Sequence, residues 1–143
     1  MLDSVVRLLD ALLGWVARRM AGGMVCHVRE PKRVGGEDDP AVYLTVVVEN
    51  PQGQNAFVES FEVKMLDPFR AFATKYEYRS NANTTIHDLA VNIPGHGVSQ
   101  PLIVIASFDR PLPYTSACRA RIRAIGRGGF RRRWEEFSCG ALR

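Results

Sequence analysis

Hydrophobic positions repeat on one period near the start of the chain and on another after it. Within residues 4–20, apolar side chains recur at Val5, Val6, Leu9, Leu12, Leu13, Val16 and Met20, with Leu2 just ahead. Spacings of three and four return to one face of an α-helix. Arg7, Asp10, Gly14 and Arg18 fall on the opposite face. Asp3 or Ser4 can cap the first turn by accepting a hydrogen bond from a free backbone N–H. Arg18 and Arg19 sit in the last turn, where the helix dipole favours cations. Gly22 and Gly23 then stop the run.

After Gly23 the period becomes two. Residues 24–30, 41–50, 56–66, 85–93, 102–109, 117–126 and 130–138 read as strands. "AVYLTVVVEN" (41–50) is β-branched enough for a central strand. Residues 31–40, 51–55, 94–101 and 110–116 are rich in Pro, Gly and polar groups and read as loops. In 56–66 the expected inward positions are Phe57, Phe61, Val63 and Met65, with a bulge where the phase slips between Phe57 and Phe61. Residues 67–85 fit either a helical turn or a short edge strand carrying Tyr76 and Tyr78.

About seven short strands with turn signals between them predict an all-β, antiparallel β-sandwich behind one N-terminal amphipathic helix. In strand number and spacing, residues 24–139 resemble an immunoglobulin-type or fibronectin-type sandwich. The resemblance is architectural and rests on no motif. The division is a helix over residues 1–23 and a sandwich over 24–143. A chain of 143 residues suits one domain and buries roughly two-thirds of its unfolded surface.

Charge changes the picture at the C-terminal end. The net charge is +4, with sixteen arginines against three lysines. Leading into "RIRAIGRGGFRRRWEEF" (121–137), Arg119, Arg121 and Arg123 alternate with Ala120, Ile122 and Ala124, as in a half-buried strand. A tight turn at Gly128–Gly129 places Arg123 opposite Trp134 and Arg121 opposite Glu136. A four-residue turn places Arg121 opposite Trp134 and Arg119 opposite Glu136. Either register gives one arginine an indole and another a carboxylate. Arg127, Arg131, Arg132 and Arg133 have few acids nearby and cluster with Phe130 and Trp134. Basic residues among aromatics can hold an acidic protein surface, or phosphates and bases.

Candidate chemistry is sparse. His27, His87 and His96 lie far apart in sequence, without the spacing of a metal site. No nucleophile motif and no Walker lysine occur, so no enzyme activity, cofactor or metal is expected. Cys26, Cys118 and Cys139 form no C-x-x-C pair. They read as three small buried side chains, with a Cys118–Cys139 bridge across neighbouring strands as the second reading. Asp3, Arg7 and Asp10 interrupt the first apolar run, which suits neither a secretory signal nor a membrane span. A cytoplasmic chain is expected.

The function expected is a non-enzymatic interaction module. Its contact residues are Arg127, Phe130, Arg131, Arg132, Arg133 and Trp134 on the hairpin, and Leu9, Leu13 and Val16 on the helix. The expected partner is a protein with an acidic surface, with nucleic-acid binding through the same arginines as the alternative. The helix stripe could pack on its own sandwich, pair with another copy in a homo-oligomer, or lie in a membrane interface.

Overall fold

The computed structural model describes residues 2–21, 23–127 and 133–140; for Leu2 and residues 13–21 it describes the backbone alone. Helix α1 spans Leu2–Ala21. Ten strands follow: β1 (Val25–Val34), β2 (Ala41–Glu49), β3 (Ala56–Asp67), β4 (Ala71–Phe72), β5 (Lys75–Asn81), β6 (Thr84–Ile86), β7 (Val91–Ile93), β8 (Leu102–Ser107), β9 (Cys118–Gly126) and β10 (Glu135–Cys139).

They form two antiparallel sheets. Sheet A has the order β1-β2-β8-β5-β6, and sheet B the order β10-β9-β3-β4, with β7 also paired to β3. The orders β1-β2-β8-β5 and β10-β9-β3 are those of the immunoglobulin and fibronectin sandwich. The chain is an all-β sandwich of this type. Alternating positions of both sheets meet in one core. It includes Val42, Leu44, Val46 and Val48 from β2, Phe61, Val63 and Met65 from β3, and Ala120, Ile122 and Ala124 from β9. Each such large side chain taken from water contributes about 1.5–3 kcal/mol.

Three segments depart from the expectation. β1 continues through Pro31 to Val34, where a loop was expected. The ladder slips between Arg29 and Lys32, and Glu30 takes a positive φ of 47°. A bulge on an edge strand tolerates the proline's missing N–H. Residues 85–93 are not one strand. β6 pairs with β5 in sheet A and β7 with β3 in sheet B, so the chain crosses between sheets at residues 87–90. Residues 75–81 are a strand between β8 and β6, away from the edge of sheet A. The bulge in β3 lies between Val58 and Ser60. It turns Val58 inward and leaves Phe57 half-buried.

Two buried polar side chains hold the ends of the sandwich. Arg33 is only 6% exposed. Its guanidinium donates to the carbonyls of Leu112 (2.7 Å), Tyr114 (3.1 Å) and Ser116 (2.7 Å). Burial lowers its pKa, opposed by Glu37 and Tyr114, yet a guanidinium stays charged in proteins. Three carbonyls thus replace its water, and the β8–β9 connection is fixed to β1. At the other end Asn50 is 1% exposed. Its Nδ2 donates to the carbonyls of Gln54 (2.7 Å), Ile93 (3.2 Å) and Pro94 (3.2 Å), and its Oδ1 accepts from the Gln52 N–H (3.1 Å). The two loops so joined press close enough that a Cβ on Gly95 would overlap the Gly53 carbonyl.

Arg33→Leu should therefore lower unfolding free energy by about 3 kcal/mol in urea titration, since it strands one buried and two part-buried carbonyls. Asn50→Ala should cost about as much. Arg33→Lys should recover less than half of the loss, because one ammonium cannot match the planar fork. Full recovery by lysine would show that charge alone matters there.

Candidate interaction face

The outer face of sheet B is built on β9. Its inward residues are buried while Arg119 and Arg121 are exposed and Arg123 is half-buried. The β9–β10 ladder places Glu136 opposite Arg121, the first of the two expected registers. Gly128, Gly129, Phe130, Arg131 and Arg132 lie outside the described residues. On the other side of β9, β3 sets Glu62 opposite Arg123, Lys64 opposite Arg121 and Asp67 opposite Arg119. The face is a checkerboard of charge.

Arg119 bonds Asp67 at 2.9 Å and approaches Glu136 at 3.4 Å. Arg121 lies 3.7 Å from the same Glu136 carboxylate. Arg133 lies 3.3 Å from Glu135. Their side chains are 50%, 46% and 59% exposed, so each pair contributes under about 1 kcal/mol. Arg123 differs. It grips Glu62 through both Nε and Nη2, and the two side chains are 14% and 20% exposed. Its guanidinium also covers the Trp134 ring at 4.0 Å from the centroid. Arg123 is committed to the fold, whereas the other three arginines are open to exchange.

Aromatic rings punctuate this face. Arg127 lies over Phe57 at 4.6 Å, and Lys64 over Phe72 at 5.3 Å. Phe72 is 49% exposed and lies 6.4 Å from the Trp134 ring. Sequence reasoning missed Phe72, whose segment gave no clear period, and Glu62, which looked like any polar strand position. Trp134, expected as an open contact, is half-buried beneath Arg123. Leu9 is 51% exposed on α1. The side chains of Leu13 and Val16 lie outside the described residues.

A cleft of about 340 Å³ opens beside this face, lined by Ser60, Phe61, Glu62, Phe72, Tyr76 and Tyr78 among others. It lies along β3 between the stretches that pair with β7 and with β4. There the N–H groups of Phe61 and Val63 donate to the hydroxyls of Tyr78 (3.1 Å) and Tyr76 (2.9 Å). Two side chains from sheet A thereby cap an unpaired stretch of strand in sheet B. Burial raises both phenol pKa values above 10.

The histidines sit on separate elements: His27 on β1, bonded to Glu49 at 2.8 Å, His87 after β6, and His96 in the β7–β8 loop. Among the described residues no group of His, Cys, Asp or Glu is arranged to hold a metal ion. Cys26 is buried and free, and burial pushes its thiol up to about 12. Cys118 and Cys139 are directly paired across β9 and β10, with Cα atoms 5.1 Å apart, and are joined as a disulfide. The expectation of three free thiols is corrected at these two positions. Antiparallel pairing supplies the short Cα separation that a bridge needs.

No family model and no curated protein matches the chain. Among solved structures, it is similar to the solution structure of a protein provisionally assigned as late embryogenesis abundant (LEA). That similarity has a TM-score of 0.45 and 14% identity, over 98% of this chain and 86% of that one. Among the described residues no helix is long and apolar enough to cross a membrane.

Two outcomes follow from this geometry. The unreduced, denatured chain should show one reactive thiol and the reduced one three, counted with a thiol reagent. Cys118→Ser with Cys139→Ser should cost about 3 kcal/mol, as expected for a loop of this length. Tyr76 and Tyr78 hold their protons more tightly when folded, so their stabilisation is complete below pH ~10 and lost as pH rises through their folded values. Melting temperature should fall more steeply above pH ~10 in the natural chain than in the Tyr76→Phe/Tyr78→Phe variant.

Proposed function

We propose that this chain is a non-enzymatic binding module that presents the arginine face of sheet B to a protein with an acidic surface. The observation that carries this reading is the exposure of Arg119 and Arg121 in weak ion pairs, on the sheet that also carries the half-exposed ring of Phe72. A partner carboxylate can replace an internal one there at little cost, and the ring adds apolar contact area. Phe130, Arg131 and Arg132, the other expected contacts, lie between Arg127 and Arg133 in the sequence. The alternative is nucleic-acid binding through these arginines. Glu62, Asp67 and Glu136 stand among them and would repel phosphates, whereas a protein surface of mixed sign can match both charges. This favours the protein partner.

Helix α1, with Leu9, Leu13 and Val16 on its apolar stripe, is the second contact surface in this reading. The Cys118–Cys139 bridge supports an oxidising compartment over the cytoplasm.

The test is binding of polyglutamate and of mixed single- and double-stranded nucleic acid at about 50 and about 200 mM salt. The control carries Arg119, Arg121, Arg127 and Arg133 changed to Ser, with folding checked by thermal melt. We expect polyglutamate to bind and the control to bind at least about tenfold more weakly. Nucleic acid bound more tightly, with a steep salt slope, would overturn the protein-partner reading.

A further inference from the structure

The stripe on α1 is uncovered where its side chains are described. Val5, Val6, Leu8, Leu9 and Leu12 are 51–71% exposed, and none of them belongs to the core. Among the described residues the other exposed large hydrophobics are Phe72, Val98 and Tyr114, which lie on β4, the β7–β8 loop and the β8–β9 loop. These scattered residues make no trough for a helix of twenty residues, about 30 Å long.

The stripe has an internal symmetry. Leu2, Val6, Leu9, Leu13, Val16 and Met20 follow one another at spacings of 4, 3, 4, 3 and 4. This is the alternation of a coiled-coil seam. It also reads the same from either end. Opposed head to tail, Leu2 meets Met20, Val6 meets Val16, and Leu9 meets Leu13, each at one level. A two-fold contact between identical surfaces requires this kind of self-complementarity.

We propose that α1 pairs antiparallel with α1 of a second copy, about a two-fold axis at the level of Ala11. This rests on the reading of α1 as a contact surface and is independent of the arginine face. Charge sets the direction. Asp3 lies in the first turn, and Arg18 and Arg19 lie in the last. An antiparallel pair brings the acidic turn of each helix level with the basic turn of the other and opposes their dipoles. A parallel pair would stack Asp3 on Asp3 and the arginines on each other.

The same charges disfavour a lipid surface. Arg7, Arg18 and Arg19 against Asp3 and Asp10 give a net of 3 − 2 = +1, short of the polybasic face that holds anionic headgroups. Six seam residues per helix bury about 1,000 Å² in all, at the low end for a specific interface. The dimer is therefore reversible, with a dissociation constant on the order of micromolar. It presents two arginine faces at once and strengthens binding to any partner with repeated acidic sites.

Sedimentation equilibrium of the full chain from about 1 to about 200 µM reads the dimer directly, across the expected constant. Leu9→Glu should raise the dissociation constant at least about tenfold and leave the melt of the sandwich unchanged. Orientation is read by nitroxide distances in two single variants, Ser4→Cys and Ala11→Cys. The antiparallel pair offsets the Ser4 labels by about 21 Å along the helix axis and the Ala11 labels by none. A monomer throughout the range overturns the proposal, as does a dimer that survives Leu9→Glu. Equal distances for the two label sites overturn the antiparallel pairing. A monomer that sediments with phosphatidylglycerol–phosphatidylcholine vesicles would assign α1 to a membrane surface instead. Polyglutamate binding measured on the Leu9→Glu monomer tests the arginine face separately, so failure of either reading is distinguishable.

Discussion

The sandwich depends on a buried cation held by backbone carbonyls. Arg33 lies at the end of an edge strand, and three backbone carbonyls of the β8–β9 connection converge on its guanidinium. The bond to the Leu112 carbonyl is buried and those to Tyr114 and Ser116 are part-buried, and an unpaired buried acceptor costs about 1–3 kcal/mol. Asn50 meets the same need at the opposite end, one side chain serving the loops after β2 and after β7. Together these side chains set where the two sheets begin and end, and so fix how β9 is presented.

That placement gives β9 its double character. Its inward residues are small or apolar and fill the gap between the sheets, while its outward residues are arginines. The neighbouring strands supply enough carboxylate to keep these arginines from repelling one another, but not enough to enclose most of them. Arg123 is the exception, held by Glu62 and Trp134. It anchors the centre of the face. Arg119, Arg121 and Arg133 keep water on one side. The division between a structural arginine and exposed ones follows from burial, because the ion-pair distances alone do not separate them.

Tyr76 and Tyr78 show a different economy. β3 is paired on one side by β9 along most of its length, but on the other by two short strands with a gap between them. Phenol hydroxyls from sheet A occupy that gap and accept the free N–H groups. An exposed strand edge invites pairing with other chains. Here the donors are taken, and the cleft that remains is lined by rings and a paired carboxylate instead of a bare backbone.

Much of this was legible in the residue order. Helical and twofold periods separate α1 from the sandwich. The β-branched run of β2, the apolar run of β8 and the alternation of β9 each depend on neighbours a few residues away, which sequence records directly. The two glycines left two hairpin registers open, and the ladder takes the one with Arg121 opposite Glu136. Other features were hidden because they depend on distant chain segments. Arg33 looked like one more charge in a polar loop, and Asn50 like the last residue of a strand, until the loops they bind were brought beside them. The 85–93 segment carried one alternating pattern but serves both sheets, since pattern specifies a face and not a partner. The sequence by itself determined which residues alternate and which surfaces are basic or apolar, because local sterics and hydrophobicity act along the chain. Only the tertiary structure decided which arginines are enclosed, which cysteines meet and which loops are pinned, because those outcomes are set by burial and by partners tens of residues away.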